Sequence, residues 1–462
     1  MSIIIPANSA VGGGFEVANS IRFDDGSSSY LQKSASGGNR RTFTFSTWVK
    51  RSALGGGSSG YNTFFSSDEQ ATNSFRLTFS SDSSDDKLMT YFYTGSQQMQ
   101  LITNRLFRDV SAWYHIVVAV DTTQGTSSNR TKLYVNGVQE TSFSTETYPS
   151  QNLDMSVNQS GAPNRVGAGT SLYFDGYMSE TVLIDGQQLT PTSFGEFDED
   201  SGAWKAIDVS GLTFGTNGFY LNYENSSELG TDANGGTTLS ETNVTAVDQS
   251  LDTCTNNACT WNPLKFWNRS GTLQKVSFDN GNLRAIFDDN GYNEYAFASI
   301  GVDTGKWFCE MKAEDITATG NTRIGVLNMD YTGTGNPGDQ STSVSYLADG
   351  QKRVGGSNSS YGASYANGDI IGIALDVTNN TVTFYKNGSS QGSISITANT
   401  LYTFYSEDYA SGGNKEISAN FISPAYAISS GNADGNGYGN FEYAVPSGYL
   451  SLCTKNLSEA LS

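Results

Sequence analysis

His115, four cysteines and a large excess of carboxylates are the residues through which this chain could run catalysis or hold a metal. His115 is the only histidine, so any Ser-His-Asp or Cys-His relay would have to pass through it. It lies inside WYHIVVAVD (113–121), in a strand running through the core, and catalysis there is not expected. Cys254 and Cys259 stand five apart in CTNNAC, but no second close pair follows. A zinc site would want paired short spacings, so these thiols, with Cys309 and Cys453, read as free cysteines of a protein made in a reducing cytosol. Cys309, beside Trp307 and Phe308, reads as a core thiol. Cleavage of a glycosidic bond needs two carboxylates flanking it, one acid and one nucleophile or base. Glu196 and Asp198 make such an i, i+2 pair, but 46 acidic residues produce pairs of this kind by chance. Structural or solvated carboxylates are expected, and no catalytic residue is assigned.

Short runs rich in Tyr, Phe, Thr and Val, broken by Gly, Asn, Asp and Ser, must position all of these groups. No stretch combines a sustained helical period with caps. With 51 glycines and only 8 prolines, the composition suits many tight turns. The fold class is therefore all-β, with two tandem antiparallel β-sandwich (jelly-roll) domains joined by an ordered connector. TKLYVNGVQ (131–139) and VTFYKNGSSQG (382–392) each place Asn-Gly after alternating apolar residues, the signature of a type I′ hairpin. They lie too far apart for a short repeat, and mark one unit used once in each domain. FTFSTWVKR (43–51) alternates as a strand with one buried face. The boundaries follow: 1–14 an N-terminal segment and candidate anchor, 15–190 the first sandwich, 191–260 the connector, 261–428 the second sandwich, 429–462 a C-terminal loop and tail.

A formal charge of −20 repels nucleic acid, and no basic patch opposes it. No apolar run reaches the roughly 20 residues of a spanning helix, so membrane insertion is not expected. The start, with its brief Ile3-Ile4-Ile5 run, lacks a basic n-region and a full h-region, and no signal peptide is expected.

FTFSTWVKR, WYHIVVAVDTT, TKLYVNGVQ and LYFDGYMSETVLIDGQQLT (172–190) fall in an order that resembles the laminin-G/concanavalin A-like lectin superfamily. GDIIGIALDVTNNTVTFYKNG (368–388), with GKWFCE (305–310) and ANFISPAY (419–426), resembles a SPRY domain. The joining segments FGEFDEDSGAW (194–204), TNGFYLNYENSSELG (216–230), DTCTNNACTWNPL (252–264) and GNGYGNFEYAVPSGYLSLCTKNL (435–457) resemble structural proteins of marine tailed bacteriophages.

The resemblance implies a virion surface protein, of tail-fibre or appendage type, made in the host cytoplasm. It would bind host-surface carbohydrate or receptor through loops of both sandwiches. The alternative is a non-catalytic head-decoration or tail structural protein that binds only other virion proteins. Either would be a homo-oligomer, with a trimer favoured. The glucanase pattern of the superfamily, Glu-x-Asp-x-x-Glu, is met only by Glu196 and Asp198, with Ser201 in the third place, so an enzyme is not expected. Laminin-G-like relatives often bind calcium, which takes six to eight oxygens. Asp24-Asp25, Asp82 with Asp85 and Asp86, and Asp288-Asp289-Asn290 are the clusters at hand. The segment from Asn432 to Gly437 begins like an EF-hand loop but carries Tyr443 at its twelfth position. Asp-rich turns are commonly plain turns, so calcium stays open with no ligands assigned and no other cofactor is expected. In the SPRY-like loops Tyr331, Tyr346, Tyr361, Tyr365 and Tyr409 are the rings on which a sugar could stack. Edge-strand tyrosines are common in sandwiches, so this expectation attaches to the loop region more than to any one ring.

Overall fold

The computed structural model describes residues 14–460, apart from 56–60, 71–72, 81–85, 266, 270–271, 275, 288–292, 317–320, 334 and 409–414. The candidate anchor, residues 1–14, falls outside the described residues except for Gly14. The chain is all-β and divides between Asn257 and Ala258 into two compact units, each a sandwich of antiparallel sheets. Among the described residues no helix is long and apolar enough to cross a membrane.

The first unit packs two eight-stranded sheets face to face. In one, Trp113–Asp121, Thr42–Arg51 and Gly176–Asp185 are neighbours at the centre. In the other, Lys87–Tyr93, Asn73–Ser80, Tyr61–Gln70, Pro163–Val166 and Tyr30–Ser34 run side by side. The core lies between them: Phe43 and Phe45 meet Phe65 and Phe75, with Phe45 stacked on Phe65 at 4.0 Å.

The strand 42–51 is buried on both faces, not on one. Neighbouring strands 113–121 and 176–185 are buried on both faces too, and such strands demand cover on each side. That cover comes from residues 191–257, the segment expected to be a separate connector. Phe194, Val209 and Phe214 pack over Val117, Ala119, Val182 and Ile184. Trp204 and Cys254 pack with Trp48, Trp113 and Tyr177. Burial of each large ring of this kind contributes about 2–3 kcal/mol. The same segment adds strands to both sheets: Phe219–Leu221 pairs with 176–185, Ser240–Thr242 with Tyr30–Ser34, and Gln249–Ser250 with Ser20–Phe23. Lys50 fixes it in place, donating to Asp252 Oδ2 and Asn257 Oδ1, each at 2.7 Å. The first unit thus ends near residue 257, not at 190.

The second unit has one sheet centred on Lys306–Asp315 and Ile370–Asp376, and a six-stranded sheet centred on Arg323–Asn328 and Tyr402–Asp408. Trp261, Trp307, Cys309, Phe384 and Phe404 fill its core. Residues 429–462, expected to be a C-terminal loop and tail, belong to this unit as well. Leu450–Ser451 adds a parallel strand beside 306–315, Thr454–Ala460 forms a short helix, and fully buried Phe441 packs on Phe308 at 5.2 Å. The reason is the same: the outer face carrying Phe308 and Ala374 is apolar.

Both Asn-Gly turns form as expected. Asn136 and Gly137 have φ of 48° and 78°, Asn387 and Gly388 of 48° and 75°, the two positive values a type I′ turn requires.

Candidate functional site

The groups singled out for catalysis fold into structural roles. His115 is buried on the covered face of its strand, opposite Trp48 in register. An indole N–H can only donate, so the 2.9 Å contact from Trp204 Nε1 makes His115 Nδ1 the acceptor. The neutral ring then carries its proton on Nε2, which faces Ser46 Oγ at 2.9 Å. Burial holds the histidine pKa down at about 3. A ring that already donates to the serine cannot take the serine's proton, and an indole stands where a relay needs a carboxylate.

Glu196 and Asp198 lie on the small hairpin of Gly195–Phe197 and Trp204–Ala206. Lys205 Nζ bridges them, 3.3 Å from Glu196 and 3.2 Å from Asp198. Hydrogen bonds from Ser201, then Lys205, hold Asp198 down at about 2. A carboxyl held that low is not poised as a proton donor. All four cysteines are buried free thiols, and burial pushes Cys254 and Cys309 well above the ordinary thiol range.

The acidic clusters are also occupied. Asp24 Oδ2 caps its own turn at Ser27 N. Asp86 accepts from Arg51, Gly55 and Arg108, and two guanidiniums leave no place for a dication. Asp82, Asp85 and Asp288–Asn290 lie outside the described residues. Asp434 accepts from Asn436 N and Tyr438 N on one oxygen, and from Ser451 N, Ser451 Oγ and Asn456 Nδ2 on the other. It latches the tail. Among the described residues no three His, Cys, Asp or Glu side chains cluster as metal ligands would.

The five tyrosines separate. Tyr346 and Tyr365 are core residues, 0% and 1% exposed, and cannot stack on a ligand. Tyr346 points inward from the strand Val344–Leu347 and donates to Ala363 O; Tyr365 reaches Thr322 O and Tyr346 O, each at 3.2 Å. Tyr361 is half-buried against Tyr346 and Phe384, with Lys352 5.6 Å from its ring. Tyr331 is half-exposed and donates to Gly335 O at 3.0 Å. Tyr409 lies outside the described residues. Only Tyr331 and Tyr361 keep ring surface for a partner among the described four.

A groove of about 440 Å³ opens elsewhere, in the first unit, within the range of small-molecule sites. Gln32, Lys33, Ser34 and Ser36 form one wall, and residues 215–218, 234, 236–238 and Ser240 the other. Every lining residue is Gln, Lys, Ser, Thr, Asn or Gly. The wall is rigid because Asp185, 7% exposed, accepts from Asn39 N, Asn158 Nδ2, Asn217 N and Asn217 Nδ2. Asn217 Oδ1 in turn takes Ser36 N at 2.8 Å. Gly215, at φ +79°, lets the chain pass where a Cβ would stand 2.2 Å from Asp185 O. Behind the other wall Asp232 is 4% exposed. Its Oδ1 accepts from Tyr220 N and Asn234 N, while Oδ2 has no hydrogen-bond partner and lies against Gly236. Burial lowers the pKa of Lys33, opposed by the charge of Asp232.

The groove offers hydroxyl, amide and ammonium groups, the complement of a polyol. Nine of its thirteen lining residues come from 215–240, which composition marks as a connector. The aromatic island TNGFYLNYE was the available signal, since buried Phe219 and Tyr220 tie this segment to the sandwich.

Comparison with known proteins agrees with this architecture. The family profile of the concanavalin A-like lectin/glucanases superfamily, laminin G type, matches residues 25–193. The SPRY domain profile matches residues 306–417. Among solved structures, the crystal structure of the SPRY domain of human HERC1 is 21% identical, covering 34% of this chain and 96% of that one, with a TM-score of 0.30. A human SPRY domain is 21% identical over 33% of this chain and 96% of its own, with a TM-score of 0.27. The TRIM65 PSpry domain is 15% identical over 35% and 91%, with a TM-score of 0.28. No curated protein matches the chain.

Proposed function

We propose that this chain, a concanavalin A-like lectin domain followed by a SPRY domain, is a surface protein of a tailed-phage virion that binds host-surface carbohydrate without cleaving it. The groove beside Gln32, Lys33 and Asn217 carries this reading: every side chain in its lining is polar, and hydrogen bonds to Asp185 and Ser36 hold Asn217 in its wall. Preorganised hydroxyl and amide groups suit a sugar, because little ordering remains to be done on binding. The roles held by His115, Ser46, Glu196 and Asp198 support binding without hydrolysis. Tyr331 and Tyr361 offer a second contact surface on the SPRY domain. The joining segments, similar to those of marine phage structural proteins, support placement on a virion. Single sugar sites are weak, so a homo-oligomer, a trimer for a fibre, supplies the avidity.

The test is a glycan array and host-cell pull-down with the full chain, alongside antibody labelling of particles. Binding to host polysaccharide, with no reducing ends released, supports the proposal. Tight binding to capsid or tail particles with none to host cells or glycans overturns it in favour of a decoration or tail structural protein.

A further inference from the structure

Lys33 is the one charged side chain that lines the groove. It is half-buried, and its ammonium forms no hydrogen bond or ion pair among the described residues. Other half-buried lysines differ. Lys205, Lys306 and Lys386 each meet a carboxylate, and Lys265 donates to Met329 O.

The ladder sets where Lys33 lies. The strand Tyr30–Ser34 carries Leu31 in the core, so Lys33, two residues on, shares that inner face. Asn164 stands directly opposite Lys33, and Ser67 opposite Asn164, alongside the core pair Val166 and Phe65. The strand Ser240–Thr242 pairs with Tyr30–Ser34 only as far as Gln32, so the sheet edge opens at Lys33 into the groove. A polar strip of Lys33, Asn164 and Ser67 thus runs inward from the groove along the inner face of the sheet.

The strip is unsatisfied. Asn164 is 1% exposed, and neither its Oδ1 nor its Nδ2 has a hydrogen-bond partner. The Oγ of fully buried Ser67 has none either. Such groups draw a partner from bound solvent or ligand, because leaving one bare costs about 1–3 kcal/mol. Asp232 supplies the charge balance. Tyr220 N and Asn234 N hold its Oδ1, and Oδ2 lies against Gly236, where a Cβ would stand 2.2 Å away. Held there, the carboxylate favours a charged Lys33 against desolvation without bonding it. The three ammonium donors are left to a ligand, and their complement is an anion. One ammonium matches one negative charge. The Asn234, Thr237 and Thr238 side chains of the other wall match hydroxyls, and the Asp232 charge behind them turns the ligand's own acid toward Lys33.

We propose that the groove is a site for a sugar acid, whose carboxylate pairs with Lys33 and reaches the Asn164 amide directly or through water, while its hydroxyls face the 234–238 wall. The inference rests on the glycan-binding reading and names the class of sugar. Lys33 and Asn164 set the specificity, and Asp232 is a positioning residue that keeps Lys33 charged.

Calorimetry of the full chain compares trigalacturonate with its methyl ester, and sialyllactose with lactose. One of the two acids is expected to bind about tenfold or more tighter than its neutral counterpart, and Lys33→Gln to erase that difference. Which acid binds distinguishes uronic from sialic recognition. Asn164→Leu removes a buried amide that bonds nothing in the protein, so it should weaken acid binding without lowering the melting temperature. Asp232→Asn keeps the Oδ1 acceptor and should move the alkaline loss of acid binding to lower pH. Circular dichroism of each variant checks the fold. Equal binding of acid and neutral counterpart, or an acid preference that survives Lys33→Gln, overturns the site and leaves glycan binding standing. So does a broad array on which only neutral glycans bind. Binding to no glycan of that array overturns both readings.

Discussion

In the lectin-like unit, the outer face of one sheet is covered by residues 191–257 and pinned by a buried ion pair, Lys50 with Asp252. In the SPRY unit, the outer face around Phe308 is covered by the C-terminal segment, pinned by Glu310. Glu310 is fully buried and accepts Glu442 N at 2.9 Å and Tyr443 N at 2.8 Å, with no cation paired to it among the described residues. Burial raises its pKa to about 7, opposed by those two backbone hydrogen bonds. Each cover also seats an aromatic ring on the Asn-Gly turn: a Cβ at Gly137 would meet Trp204 at 2.3 Å, and one at Gly388 would meet Tyr443 at 2.7 Å. The two units solve one packing problem, a sheet apolar on both faces, with a neutralised pair in one case and a lone carboxyl in the other. The lone buried carboxyl is a titrating latch.

The largest effect is expected where the ion pair is broken. Asp252→Ala strands the Lys50 ammonium and removes the acceptor of Trp113 Nε1. It is expected to destabilise the lectin-like unit by about 3–5 kcal/mol, seen calorimetrically as one transition falling while the other stays. Equal movement of both transitions would break the comparison.

The second test is pH. A carboxyl whose folded pKa lies above its unfolded value stabilises the fold fully below the unfolded value, near 4.3, and that contribution is lost as pH rises through about 7. Glu310 should therefore cost the SPRY unit about 3 kcal/mol over this window, and Glu310→Gln should remove roughly half of the slope. Asp408, raised by burial to about 6, carries a comparable share. Glu180, raised by burial to about 7 beneath Tyr220, gives the lectin-like unit a slope that Glu310→Gln leaves alone. An unchanged melting profile in Glu310→Gln would remove the latch from the account.

The smallest effect concerns the turns. Gly388→Ala is expected to cost about 1–2 kcal/mol, from the left-handed backbone alone, because the half-exposed Tyr443 can move aside. Gly137→Ala should cost more, because Trp204 is only 2% exposed and has nowhere to go. Matched losses in denaturant titrations would show that the two rings are equally free.

Much of this was legible in the chain. Strands 43–51, 113–121 and 369–377 announce themselves by apolar runs, and the two hairpins by Asn-Gly. The covers were not legible as such, since WYHIVVAVD says that a second face needs burying but not which segment buries it. The groove was hidden because Ser, Thr, Asn and Gly carry no period, and its walls meet only through register and the Asp185 network. Tyr346 and Tyr365 misled for a different reason. Residues 345–365 look like a loop, yet they hold the strands Gln351–Val354 and Ser357–Ser360, turned by Gly355 and Gly356, both at positive φ. The polar faces of those strands mask the inward positions.

The pairing of Ser20 with Ser250 carries a consequence for how the protein is made. The lectin-like unit cannot close until its last strand has left the ribosome. At the usual 5–20 residues per second, that leaves the early strands waiting roughly 10–50 s with their apolar faces uncovered. A nascent chain halted near residue 190 would display the Trp48 and His115 face bare, and should be a substrate for chaperones rather than a folded domain.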